Sequence, residues 1–192
     1  MPLAPAADHP GRCLGCRRRR FPFKSVVAVG PYRGLIRNSV ILAKRAEHIA
    51  VTRILAKLMS VSLRQHDFLW RPDLITQVPT YWARRAERGY SAAEVMAETI
   101  ATWFKLPHVP VLYCLRATEK QGTLSPAERQ RNVAGAFTTH SGYALHGKTV
   151  LLVDDVLTTG ATAAAAAKTL LAAGAAEVKV VVAARGTGHA FT

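Results

Sequence analysis

The stretch Val150-Leu151-Leu152-Val153-Asp154-Asp155-Val156-Leu157-Thr158-Thr159-Gly160-Ala161-Thr162 leaves this chain few ways to fold. Apolar residues without alternation, Val150 to Val153, fit an inner strand of a parallel sheet that is covered on both faces. Two adjacent acids and a Thr-Thr-Gly-Ala-Thr turn stop the run, and an alanine-rich segment follows at once. The order is strand, polar loop, helix. In such sheets ligands bind beyond the carboxyl ends of the strands. There Asp154 and Asp155 offer carboxylates to a sugar diol or a hard cation. Thr158, Thr159, Gly160, Ala161 and Thr162 add hydroxyls and successive backbone N–H groups at a helix start, which make an anion pocket. Acids for hydroxyls beside a loop for phosphate fit a sugar phosphate.

The rest of the chain supports one α/β domain, for which 192 residues suffice. Ser25 to Val29 reads as a strand, and Gly30 to Gly34 as a turn between breakers. From Leu35 to about Leu63 apolar residues recur at helical spacing, with a break near Glu47-His48, so two helices are expected. Asp73 to Val78 gives the next strand. A loop from Thr80 to Tyr90 follows, carrying Arg84, Arg85 and Arg88; it leaves the same kind of strand end as the acids, so its arginines are candidates for a diphosphate. Trp82 and Tyr90 are expected to pack under it. Ser91 with Glu94 makes a capping box for a helix to about Phe104. Val109 to Leu115 is a further strand candidate. The polar segment Arg116 to Asn132, with Lys120, Arg129 and Arg131, is the length of a lid or binding loop. A helix from Thr162 to Ala173, a stop at Gly174 and a strand from Val178 to Ala184 complete a parallel sheet.

Charge and cysteines narrow the class. Twenty-six Lys and Arg against twelve Asp and Glu give a formal +14, which favours anionic partners such as polyphosphates or nucleic acid. No apolar run approaches the roughly 18 residues of a membrane span. The first ten residues lack the basic start and apolar segment of a secretory signal, so a cytoplasmic protein is expected. Cys13 and Cys16 form a Cys-x-x-Cys pair without a second pair at ribbon spacing, so bound Zn²⁺ is not expected.

One motif misleads. Gly142 to Thr149 matches the phosphate-loop pattern letter for letter, but such a loop must open a helix, and this one runs straight into the strand at Val150. It reads as a turn.

The stretch Val150 to Thr162 resembles the phosphoribosyl pyrophosphate (PRPP) signature of type I phosphoribosyltransferases. With Tyr32-Arg33-Gly34, Arg85-Ala86-Glu87-Arg88-Gly89-Tyr90, Gln121 to Ser125, Arg129, Asn132 and Gly135-Ala136-Phe137, the chain resembles the ComF family over about residues 20 to 185. Two departures stand out: Ser91-Ala92 where members usually have Asn-Gln, and one cysteine pair where they usually have four cysteines. The resemblance implies an α/β fold of the type I phosphoribosyltransferase kind, a central parallel sheet flanked by helices with a small N-terminal hood, over residues 21–192. Residues 1–20 are then an extension with a remnant Cys-x-x-Cys. It further implies binding of PRPP with Mg²⁺, and a link to competence and DNA uptake or to nucleotide metabolism. Asp154 and Asp155 would serve as catalytic and metal-orienting groups. Thr158 to Thr162, Arg84, Arg85, Arg88, Lys120 and Arg129 would bind the ligand. No glutaminase half precedes residue 20, so glutamine is not the expected nitrogen source. The alternative is a PRPP-sensing or single-stranded-DNA-binding module without catalysis, and a homodimer is compatible with either.

Overall fold

The computed structural model describes residues 21–66, 72–117, 126–140 and 142–186. The elements in chain order are β1 (Val26–Pro31), α1 (Gly34–Leu42), a 3-10 turn (Ala46–His48) and α2 (Ile49–Gln65). Next come β2 (Leu74–Gln77), α3 (Trp82–Arg88), α4 (Ala92–Phe104) and β3 (Leu112–Cys114). The chain continues through α5 (Pro126–Val133), β4 (Phe137–Thr139), β5 (Thr149–Leu157), α6 (Ala161–Ala172) and β6 (Glu177–Arg185).

The main sheet has the order β1-β6-β5-β2, and all of its pairs are parallel. β5 and β6 lie inside, which is why Val150, Leu151, Leu152 and Val153 are apolar without alternation and all buried. Side chains on the two faces feed separate cores. Val150, Leu152, Val178, Val180 and Val182 pack with Ala163, Ala166, Ala167 and Leu170 of α6. Leu151, Val153 and Val181 pack with Leu55, Ala56 and Met59 of α2 and Met96, Ala97 and Ile100 of α4. The buried alanines of α6 recur at helical spacing, and their small side chains let the helix backbone approach the sheet closely. Gly174 ends that turn of chain with φ +99, a left-handed conformation that glycine adopts without the Cβ penalty.

Several expectations hold, and several are corrected. The two helices broken at Glu47-His48 form as expected. The stretch after the second strand is not a loop: Trp82 to Arg88 is helical, and Gly89 closes it with φ +72 and an N–H donated to the Arg85 carbonyl at 2.9 Å. Its Ala, Arg and Glu residues are good helix formers, and glycine supplies the left-handed end. The capping box is also replaced. No side chain caps α4; Ser91 Oγ instead lies 3.2 Å from Thr80 Oγ1, and Glu94 takes Arg85. Trp82 is exposed rather than packed.

The strand expected over Val109–Leu115 is split in two. Ile75 accepts from Val109 and donates to Pro107, which adds a short parallel bridge outside β2. Pro110 has no N–H to continue that ladder. Beyond it, β3 pairs antiparallel with β4, a strand the sequence pattern did not suggest. The polar segment Arg116 to Asn132 contains a helix, α5, while residues 118–125 lie outside the described residues. The Gly142–Lys148 segment does lead directly into β5, with Gly147 at φ +71 and Lys148 Nζ 3.6 Å from Asp73 Oδ1. The sequence expectation of a turn there is met.

Candidate functional site

The neighbouring strands β2 and β5 send their following helices to opposite faces of the sheet, α4 to one and α6 to the other. A crevice opens at such a switch point. β5 also outruns its neighbour. Its pairing with β2 stops at Gln77 and Val153, whereas its pairing with β6 continues to Leu157 and Arg185. Asp154 and Asp155 therefore lie inside β5, not in the loop after it, at the point where one side of the strand loses its partner.

The two acid side chains interact with each other, and each has a further neighbour of its own. Asp154 follows Val150 and Leu152 and lines a pocket with Thr158, Gly160, Ala161 and Thr162. Asp155 Oδ2 sits 2.9 Å from Lys44 Nζ. The Asp155 N–H donates to Asp154 Oδ1 at 2.9 Å. Burial of the Asp154 carboxyl, together with the charge of Asp155 beside it, pushes its pKa up to about 8. Asp155 in turn holds the Lys44 ammonium above the ordinary lysine range against the opposing effect of burial.

The turn has the geometry of an anion cradle. Gly160 precedes α6 with φ +78 and has no side chain to cap it, while Thr159 Oγ1 accepts from the Ala161 N–H at 3.4 Å. A Cβ at Gly160 would come within 2.9 Å of Phe21 Cε1, so both the conformation and the space require glycine. The first helical bond runs from Ala164 N–H to the Gly160 carbonyl at 2.8 Å. Ala161, Thr162 and Ala163 line the pocket at the positive end of the helix dipole.

The other sequence candidates are less closely gathered. Arg84, Arg85 and Arg88 lie on α3, which leaves the same end of the sheet as the acids, since Val78 N–H donates to Val153 O at 2.9 Å just before it. Arg85 is engaged with Glu94 at 2.9 Å. Arg129 lies on α5, whereas Lys120, Cys13 and Cys16 fall outside the described residues. Lys44 was not foreseen. It follows an apolar helix as one basic residue beside another, and nothing in its neighbours marks it.

The donors at the acids are carboxylate and hydroxyl oxygens, the set that hard divalent cations prefer. Among the described residues no group of three or more His, Cys, Asp or Glu comes together. A cation here would complete its shell with water and ligand oxygens, as Mg²⁺ ordinarily does.

This parallel sheet, with an acid pair and a glycine-led helix start at its switch point, is that of a phosphoribosyl transferase domain: the family model of that description matches residues 86–190. Competence protein F of Haemophilus influenzae is 29% identical over 185 residues, covering 93% of this chain and 79% of that protein. The DNA utilization protein YhgH of Salmonella typhimurium is 31% identical over 180 residues, covering 92% of this chain and 78% of its own. The chain belongs to this ComF-type family of phosphoribosyltransferase-like proteins. Among solved structures, a glutamine PRPP amidotransferase from B. subtilis, complexed with ADP and GMP, is 23% identical with a TM-score of 0.46. That likeness covers 68% of this chain and 25% of the amidotransferase chain, about a quarter of its length. No helix among the described residues is long and apolar enough to cross a membrane.

Proposed function

We propose that the chain binds PRPP with Mg²⁺ and displaces pyrophosphate from C1 of the ribose by a nitrogen nucleophile. The observation that carries this reading is the single pocket shared by Asp154 and the start of α6, where an acid for hydroxyls adjoins a helix terminus for phosphate. Asp154 and Asp155 hold the ribose hydroxyls and orient the metal. Thr158, Thr159, Gly160, Ala161 and Thr162 receive the 5′-phosphate. Arg84, Arg85 and Arg88 approach the diphosphate from α3, and Lys120 and Arg129 close over it from the segment around α5. For Arg85 this requires leaving Glu94, an exposed pair that costs little to break. Mg²⁺ bound there would neutralise charge on the diphosphate. The protein's own part is positioning and electrostatic stabilisation of a cation-like ribosyl group, and no protein nucleophile is needed. Residues 21–192 form the domain that does this, with residues 1–20 as an extension.

A second reading is a module that retains the PRPP pocket as a sensor and binds single-stranded DNA. It is favoured by the formal +14 charge and by an exposed aromatic series. In that series the Tyr113 and His140 rings lie 5.5 Å apart, and those of His140 and Tyr143 6.1 Å apart. The relatives' names, competence and DNA utilization, agree with it. One experiment separates the readings: incubation with PRPP, Mg²⁺ and a panel of bases or ammonia, with pyrophosphate as the readout. Release with one acceptor establishes the transferase, whereas binding without release favours the module. Replacing Asp154 and Asp155 together by Asn is expected to lower PRPP affinity in Mg²⁺ about a hundredfold. Unchanged affinity would sink the site assignment.

A further inference from the structure

Three elements converge on the backbone just before Lys44. The Ala43 carbonyl, at the end of α1, accepts from the Tyr90 hydroxyl and from Thr52 Oγ1 of α2 at 3.3 Å. Thr52 Oγ1 and Tyr90 OH lie 3.0 Å from each other, which closes the network. Ala43 and Thr52 are wholly buried, so this is a rigid polar clamp inside the second core. Directly after it, the Lys44 ammonium reaches across to β5 and meets Asp155 at 2.9 Å. Its neighbour Arg45 turns elsewhere, to Glu47 at 3.6 Å.

The pair itself is a weak fastener. The side chains are 42% and 20% exposed, and ion pairs in such surroundings add little to stability. The clamp on Ala43 holds the segment without it. What the ammonium does alter is the charge beside the pocket: the Asp155 carboxylate repels an anionic sugar phosphate, and among the described residues Lys44 is the cation paired with it.

We infer that Lys44 is a positioning residue of the pocket, set by the Ala43 clamp to hold the Asp155 carboxylate toward the ligand hydroxyls and to offset its charge against an anionic sugar phosphate. This rests on the reading of the pocket as a PRPP site. It assigns α1 and the turn after it a part in ligand affinity, although they contribute nothing to the signature.

The test is calorimetric titration of PRPP with Mg²⁺ into the full chain, comparing wild type, Lys44→Met, Lys44→Arg, Asp155→Asn and the double variant Lys44→Met/Asp155→Asn. Lys44→Met is expected to weaken binding about tenfold, with a Tm within about 2 °C of wild type. Lys44→Arg, which keeps the charge, is expected to recover affinity to within about threefold. In the Asp155→Asn background, the Lys44→Met change is expected to cost less than about twofold, because Lys44 acts through Asp155. Equal affinity for Lys44→Met and wild type overturns the inference while leaving the PRPP site standing, and so does the same tenfold loss in both backgrounds. Absence of PRPP binding by wild type overturns both.

Discussion

The two sides of the acid pair are built in different ways. On one side, Asp154 meets a turn made from a single run of chain, Leu157 to Ala163, whose shape depends on one glycine at φ +78 seated over Phe21. On the other, Asp155 meets a cation delivered by a junction of separate segments, with Ala43, Thr52 and Tyr90 meeting above it. The first side is fixed by local backbone conformation and one ring contact. The second is fixed only when α1, α2 and the segment after α3 are all docked. A local device fails through a single residue, whereas a distributed device loses its parts one at a time.

The sharpest way to break the local side is Gly160→Val. A β-branched residue there must take a left-handed conformation with its Cβ against the Phe21 ring, which is expected to cost about 3 kcal/mol. A shift in urea midpoint with unchanged slope would measure it, and PRPP binding should be lost in the same protein. A stable variant that still binds PRPP would show that the turn is less exacting than its geometry implies.

A second effect follows the proton on Asp154. The folded chain holds the Asp154 proton up to about pH 8, whereas an unfolded aspartate releases it near 3.9. The folded state thus binds more protons between those values. The stability this group contributes is complete below about pH 4 and is lost as pH rises to about 8. Asp154→Asn, measured without divalent cations, should therefore gain in Tm over wild type as pH rises across that window and level off above it. A constant difference would show that Asp154 has an ordinary carboxyl.

The smallest expected change lies on the distributed side. Tyr90→Phe removes one hydroxyl from the clamp and leaves Thr52 on the Ala43 carbonyl, so a loss of about 1 kcal/mol in stability is expected. Its effect on PRPP affinity should be smaller than that of Lys44→Met. A larger effect would mean that the clamp does more than aim Lys44.

Much of this was legible in residue order, for reasons that can be named. The run Val150 to Val153 marks an inner strand because both of its faces are covered, and the spacing from Leu35 to Leu63 marks two helices because each buries one stripe. The false phosphate loop could be refused because no helix fits between Lys148 and the strand. Other features depended on competition between segments. Ser91 and Glu94 fit a capping box, yet Thr80 and Arg85 came nearer and took them. Trp82 was expected inside and lies outside, since the seven-residue helix that carries it presents it to solvent. Pro110 was visible, but its consequence, a strand divided between two sheets, needed β4 as the alternative partner.

By itself the sequence determined a phosphoribosyltransferase-like domain and the chemistry of its signature, because strand, acids, glycine turn and helix are contiguous and each is governed by local rules. Only the tertiary structure decided that the two acids face different neighbours, that β5 leaves β2 behind just where they begin, and that Lys44 stands 2.9 Å from Asp155. Those facts arise from the docking of elements far apart in the chain, and side-chain contacts across such distances leave no periodicity in the sequence to be read.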